Sequence, residues 1–306
     1  MLLTELTGYI WMDGEWVDWQ QARIPIYSHA IHYGTGVFEG VRAYATDRGP
    51  AIYRLAAHTD RLFRSANIIG LTVPFDNAAL QQAQIEVVKK NQFKAAYIRP
   101  LIYLGAEQLG LHADKVTVHA AVMAWEWGAY LGEDSKTKGL KVCTSSYQRH
   151  HVNSMMSKAK ATGNYLNSML AVQEAHRHDC QEAVMLDNQG YVAEGSGENI
   201  FIVRDQQLYT PDTGAILEGI TRASIITLAR ERHITVTEKR LTRDEIYTAD
   251  EAFFTGTAVE ITPIVNYDGH RIGDGKPGKL TQQLQKVYFD LVSGQSHPQH
   301  EWLTYC

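Results

Sequence analysis

Between residues 182 and 209 the chain offers four short β-prone runs in succession, at 182–186, 191–193, 199–203 and 207–209, parted by turns that carry glycine, asparagine or aspartate. Runs this short and this closely spaced specify a sheet rather than helices. Helical spacing flanks them. Residues 164–176 place Leu166, Met169, Leu170 and Ala175 on one predicted buried face, and residues 221–232 do the same with Ile225, Ile226 and Ala229. The first 125 residues repeat the mixture. Tyr9-Ile10-Trp11-Met12 and Glu15-Trp16-Val17 flank Asp13-Gly14, a strong hairpin signal. Residues 58–69 read as a helix, and 96–104 and 116–125 as strands of an antiparallel sheet. The expected fold class is α+β. Residues 126–138, glycine-bearing and then polar, read as an interdomain linker between a small N-terminal domain at 1–125 and a larger domain at 139–306. The larger domain continues with strands at 140–145 and 251–255, a hairpin about Asp268-Gly269, and a closing helix that buries Leu280, Leu284, Tyr288 and Leu291.

Composition removes several function classes. The 306 residues are 44% hydrophobic and 21% charged, as in a soluble globular protein. A formal net charge of −5 gives no reason to expect nucleic acid or an anionic membrane as partner. No apolar run approaches the ~20 residues of a spanning helix, and the first residues lack the marks of a signal peptide. Three widely spaced cysteines, Cys143, Cys180 and Cys306, argue against a disulfide framework and a cysteine zinc site, and they fit the cytoplasm. His29 and His32 stand three apart without acidic or cysteine ligands to complete a shell, so they read as structural and no metal is expected.

The chemistry-bearing residues fall in a few short stretches. Lys158-Ala159-Lys160-Ala161-Thr162-Gly163-Asn164-Tyr165 joins lysines to a small, open backbone and a tyrosine that starts a helix. Further on, Glu194-Gly195-Ser196-Gly197-Glu198-Asn199 puts a carboxylate at a strand end. A lysine amine that condenses with an aldehyde, a phenol for a ring oxygen and a carboxylate for a ring nitrogen are what pyridoxal phosphate requires. Local chemistry leaves Lys158 and Lys160 tied. Glu218-Gly219-Ile220-Thr221-Arg222 marks a loop entering a helix. A threonine N-cap is the simpler reading there, and a phosphate at the free N–H groups is the other. Thr255-Gly256-Thr257-Ala258 ends a strand and offers further donors. Residues 28–42 are glycine-rich yet carry Tyr33 and Phe38, which suits a pocket wall. Tyr97 and Arg99 alternate along a strand, so they share a face from which to clamp a carboxylate.

The order of these segments resembles the fold-type-IV pyridoxal-phosphate enzymes, and within them the branched-chain amino acid aminotransferases. The resemblance spans nearly the whole chain, from Tyr9-Ile10-Trp11 to Glu260-Ile261-Thr262-Pro263. It is tightest at His29-Ala30-Ile31-His32-Tyr33-Gly34 with Val37-Phe38-Glu39-Gly40, at Tyr97-Ile98-Arg99-Pro100, and at the lysine, glutamate, Gly219-Ile220-Thr221-Arg222 and Gly256-Thr257-Ala258 stretches. It implies two domains, a small N-terminal α/β sandwich and a larger, β-barrel-like C-terminal domain with helices that binds pyridoxal 5'-phosphate. The family pattern Lys-x-x-x-Asn-Tyr fits Lys160 with Asn164-Tyr165 and is out of register for Lys158, so it implies Lys160 as the catalytic residue. It further implies Tyr165 at the ring oxygen, Glu194 at the ring nitrogen, and Arg61, Ile220, Thr221 and Thr257 at the phosphate, with Leu217, Gly219 and Gly256 in the same cofactor-binding set.

The same resemblance implies a substrate pocket of Tyr33, Phe38, Gly40, Tyr97, Arg99, Trp127, Tyr130, Thr257 and Ala258. Leu109 and Leu111 would reach a neighbouring subunit's pocket, in a homodimer or a hexamer built from dimers. The implied reaction moves an amino group between L-leucine, L-isoleucine or L-valine and 2-oxoglutarate, giving L-glutamate by ping-pong kinetics. Departures at 101–115 and 150–156, with Tyr147-Gln148-Arg149-His150-His151 ahead of the lysine, bear on side-chain preference. The alternative is a D-amino acid or (R)-amine transaminase of the same fold, with an aminodeoxychorismate lyase beside it. A non-catalytic, anion-binding relative is the third reading, and the presence of both Lys160 and Glu194 speaks against it.

Overall fold

The computed structural model describes residues 5–128, 131–132, 134–295 and 300–306. The chain divides into two compact units, one of Met1–Trp127, Ala159–Asn164 and Leu291–Cys306, the other of Gly128–Lys158 and Tyr165–Asp290. Two pieces of the 139–306 stretch thus pack with the first unit.

In the first unit, eight strands among the described residues form one sheet, every pair antiparallel. Its order is Leu303–Tyr305, Gly49–Tyr53, Val41–Thr46, Ala96–Leu104, Val118–Trp125, Tyr9–Met12 and Glu15–Asp18, with Gly36–Phe38 paired to Ala96–Leu104 beside Val41–Thr46. The first hairpin turns at Asp13 and Gly14, whose φ of +48° and +96° are the two left-handed residues that a tight hairpin needs. Helices Leu55–Ile68 and Asn77–Lys90 cover the sheet. Leu62, Ala66, Val87 and Val88 from the helices pack with Ile52, Ile98, Ile102 and Val122 from the strands, all fully buried. Each large aliphatic side chain buried this way contributes about 1.5–3 kcal/mol. The last strand is anchored by Trp302, whose ring meets the Tyr53 ring at 6.1 Å and lies under the Arg54 guanidinium at 4.5 Å.

In the second unit, nine strands among the described residues run in the order Val192–Gly195, Glu182–Leu186, Leu140–Thr144, Glu260–Tyr267, Glu251–Gly256, Asn199–Arg204, Gln207–Thr210 and Val236–Glu238, with His270–Arg271 added to Glu260–Tyr267. Only residues 196–198 separate Val192–Gly195 from Asn199–Arg204 along the chain, yet four strands lie between them in the sheet. The sheet therefore curls until those two strands meet, and the Gly195 N–H closes the seam on the Glu198 carbonyl at 2.7 Å. The core inside includes Val142, Ile200, Ala252, Phe254, Ile264 and Tyr267.

Two expectations need correction. Helix Tyr165–Arg177 buries Ser168, Ala171 and Ala175 and leaves Leu166 and Met169 64% and 57% exposed, with Leu170 half-buried. Small residues let this helix lie close on strand Glu182–Leu186, so contact distance chose the face and side-chain size did not. The polar stretch read as linker contains a short helix, Ser135–Lys138, along which Lys138 pairs with Asp134, and which Lys136 ties to Glu260. Among the described residues no helix is long and apolar enough to cross a membrane.

Candidate active site

The first unit holds Lys160 by its backbone. The Lys160 N–H donates to Ser65 Oγ at 3.0 Å, its carbonyl accepts the Phe38 N–H at 3.0 Å, and Ala161 bridges to Val37. The lysine segment is thereby stitched beside strand Gly36–Phe38. Gly34, at φ +66°, admits the segment's next turn, because a Cβ there would come 2.9 Å from the Gly163 Cα. The Lys160 Nζ lies 5.1 Å from the centre of the Phe38 ring. Lys158, its rival in sequence, belongs to the second unit, where its amine donates to the carbonyls of Thr213 and Ile216 and faces Glu218 at 3.6 Å. That amine is a loop clamp.

Arg61 sits one helical turn before Ser65 on Leu55–Ile68. Its Nε and Nη2 donate to the two oxygens of Glu39 at 2.6 and 2.9 Å, and His58 Nδ1 adds a third bond at 2.8 Å. Burial opposes a charge on Glu39, but the Arg61 charge and the His58 hydrogen bond prevail and hold its carboxyl well below the usual range. Burial lowers His58 despite Glu39, with the Arg61 and Lys160 charges adding to the effect, so the neutral ring donates through Nδ1. Glu39 lies in a matched motif that assigns it no role. Its partner lies 22 residues away, which spacing cannot reveal.

The same unit builds an aromatic box. The Tyr97 ring meets Trp127 at 4.5 Å and Trp125 at 5.2 Å, while the Arg99 guanidinium lies 4.7 Å from the Phe38 ring and 5.4 Å from Tyr97. Arg99 Nε is buried and has no hydrogen-bond partner among the described residues. Gly40 is required here, since a Cβ would fall 1.9 Å from the Tyr97 hydroxyl. The Trp127 carbonyl is held by Arg42 Nη2 at 3.0 Å. Tyr33 is 42% exposed, and its hydroxyl accepts the Gly110 N–H at 3.1 Å. His29 grips the Gly110 carbonyl and the Thr35 hydroxyl, both at 2.8 Å, so the loop bearing the exposed Leu109 and Leu111 is fastened at its middle. Tyr130 lies outside the described residues.

The second unit carries the other set. Glu194, 3% exposed, ends strand Val192–Gly195. Its Oε1 accepts Arg149 Nε at 2.7 Å, and its Oε2 accepts Asn199 Nδ2 at 3.1 Å and the Leu217 N–H at 3.2 Å. Arg149 is itself buried and reaches Ser168 Oγ at 3.3 Å. Asn199 also donates to the Leu217 carbonyl at 3.1 Å, which ties the glutamate turn to the loop before helix Ile220–Arg230. Gly219, not Thr221, is the N-cap of that helix, and Thr221 is buried inside its first turn. A Cβ on Gly219 would come 1.9 Å from Asn199 Oδ1, so the helix start is bare backbone, and its first N–H groups have no partner within the helix. Gly256 ends strand Glu251–Gly256 and Thr257 and Ala258 follow it, all half-buried, and Tyr165, half-buried, opens helix Tyr165–Arg177. Arg149 escaped sequence reasoning; the unusual 147–151 stretch was its one signal.

Residues 36–267 match the model of the class IV amino-transferases. Over 304 residues the chain is 53% identical to a branched-chain-amino-acid aminotransferase of Pseudomonas aeruginosa, covering 99% of each. Two crystal structures of branched-chain aminotransferases are similar over nearly full length. The one from Thermoproteus uzoniensis, with norvaline, is 43% identical with a TM-score of 0.93, over 97% of this chain and 99% of that one. The one from Thermobaculum terrenum, in its PLP-form, is 35% identical with a TM-score of 0.91, over 97% of this chain and 98% of that one. Identity on this scale over full length makes the chain a member of the class IV amino-transferase family, with its fold-type-IV α+β architecture.

Proposed function

We propose that this chain is a branched-chain-amino-acid transaminase that uses pyridoxal 5'-phosphate to move an amino group between L-leucine, L-isoleucine or L-valine and 2-oxoglutarate. The observation that carries it is the box of Phe38, Tyr97, Trp125 and Trp127 around the unpartnered Arg99 Nε. Aromatic walls suit a branched aliphatic side chain, and a half-buried guanidinium whose Nε is shut from solvent suits the acid group of glutamate. The residues also fit the cofactor, as the bare helix start at Gly219 and the separately engaged Lys158 amine indicate.

When bound, the cofactor supplies an aldehyde for the amino group and a ring that withdraws electrons from the substrate. Lys160 Nζ holds the cofactor between turnovers, then takes the α-proton and returns it on the other side of the transfer. The Tyr165 hydroxyl orients the ring through its oxygen, and Glu194, steadied by Arg149 and Asn199, partners the ring nitrogen. Arg61, Ile220, Thr221 and Thr257 bind the phosphate, with Leu217, Gly219 and Gly256 shaping the surrounding backbone. The Nε–Nη2 edge of Arg61 lies on Glu39, which would hold the guanidinium in place for that role. Tyr33, Phe38, Gly40, Tyr97, Arg99, Trp127 and Ala258 receive the substrate. Leu109 and Leu111 serve a second copy of the chain, and the working form is a cytoplasmic homodimer or larger.

The test is a donor panel read by absorbance. Purified protein should show a cofactor band that shifts with L-valine, L-leucine or L-glutamate, and Lys160→Ala should abolish both the band's covalent form and turnover. Transfer from D donors alone would overturn the substrate assignment.

A further inference from the structure

Behind the turn that carries Glu194, two more carboxyl groups are buried. Glu182 starts strand Glu182–Leu186 and is 1% exposed; Glu198 precedes strand Asn199–Arg204 and is 6% exposed. Glu182 Oε1 accepts the Ala183 N–H at 2.6 Å, and the hydroxyl and N–H of Ser196 add their pull on its carboxyl against the rise that burial causes. Glu198 Oε2 accepts the Gly197 N–H at 3.1 Å. Glu198 Oε1 is buried and meets no donor among the described residues, while the Glu182 side chain lies within hydrogen-bonding reach of Glu198. The pair has little room to part. A Cβ on Gly195 would come within 2.8 Å of Glu198 Oε1, and one on Gly256 within 3.3 Å of the Glu198 Cβ.

Two carboxylates side by side repel, whereas an acid and a carboxylate form a hydrogen bond. We propose that Glu182 and Glu198 share one proton, and that the pair clasps the turn at 196–197 and so fixes the place of Glu194. Both are positioning residues. Their service to the reaction rests on the assignment of Glu194 to the ring nitrogen; the shared proton does not.

The electrostatics agree with this geometry. Burial and the Glu182 charge push the Glu198 carboxyl well up, with Glu194 adding to the rise, and burial raises Glu182 as well. Arg149 is the cation in the cluster, and it is spent on Glu194. In the unfolded chain both glutamates titrate near the ordinary value of about 4.3. A folded value above the unfolded one gives stability that is full below that pH and is lost as pH rises toward the folded value. Raising the pH above the unfolded value should therefore loosen the turn by making the pair doubly charged.

Infrared spectroscopy of apoprotein labelled with 13C-glutamate tests the shared proton without the cofactor. A protonated-carboxyl C=O band is expected at neutral pH, and it should vanish in Glu198→Gln and in Glu182→Gln, where an amide N–H bridges the pair instead. The fall of the thermal midpoint toward alkaline pH should flatten in the same variants. Absence of the band from wild-type protein, or its survival in both variants, overturns the proposal. In holoprotein, Glu198→Ala should release pyridoxal phosphate about tenfold faster, whereas Glu198→Gln should retain it. Unchanged release from Glu198→Ala overturns the positioning role. Protein that shows the band yet never takes up the cofactor supports the shared proton and overturns the transaminase reading.

Discussion

Arg149 and Glu194 stand 45 residues apart in sequence and 2.7 Å apart in space. Both are buried, so removing the arginine strands a carboxylate in a region of low dielectric. Arg149→Met should cost about 3 kcal/mol or more, measured by urea unfolding of the apoprotein. Adding Glu194→Gln should recover much of that loss, and a double variant no more stable than the single would contradict a direct pairing. The residue scale is also where sequence reasoning was most uneven. Lys160, Tyr165 and Glu194 stood out as candidates because each sits in a short stretch with unusual neighbours, although Lys158 stood out equally and only the family pattern separates it from Lys160. Glu39 beneath Arg61 and Arg149 beneath Glu194 did not, because a supporting side chain carries no local mark of the group it supports. The tie between Lys158 and Lys160 in local sequence does not carry into the structure, where the Lys158 amine is engaged by two carbonyls.

Helix Ile220–Arg230 shows how an element's first residue can matter more than its face. Gly219 gives Asn199 the space to touch both Glu194 and Leu217. Gly219→Ala must displace the Asn199 amide, so it should weaken the glutamate's support and the proposed phosphate site at the helix start together. The expected result is at least tenfold weaker cofactor retention, measured by dialysis and absorbance, with helix content unchanged by circular dichroism; retention equal to wild-type protein would rule this coupling out. Elements with a local signature were readable in advance. Asp13-Gly14 and Asp268-Gly269 announced their hairpins, and the period of 221–232 gave the correct buried residues. The face of Tyr165–Arg177 was misread because its neighbours, not its own largest side chains, set how closely it docks.

For the whole molecule, the main fact is the route of the chain. It passes between the two units after residues 127, 158, 164 and 290. Composition shifts pointed to one crossing, and the others carry no such mark: the lysine segment and the final strand join the first unit through packing alone. Deleting residues 302–306 removes Trp302 and Leu303, 9% and 7% exposed, and uncovers the edge of Gly49–Tyr53. That truncation should cost roughly 3 kcal/mol or more, seen as a lower urea midpoint; an unchanged midpoint would show the strand to be dispensable. The final strand also governs the order of events during synthesis. In chain order the first unit's strand Tyr9–Met12 precedes the whole of the second unit, and its sheet cannot be completed until the strand Leu303–Tyr305 emerges. The edge of Gly49–Tyr53 must therefore wait unpaired while the second unit is made, and a gene cut after residue 127 would strip the first unit of both Ala159–Asn164 and Leu291–Cys306, leaving the fragment before the cut an unfinished domain.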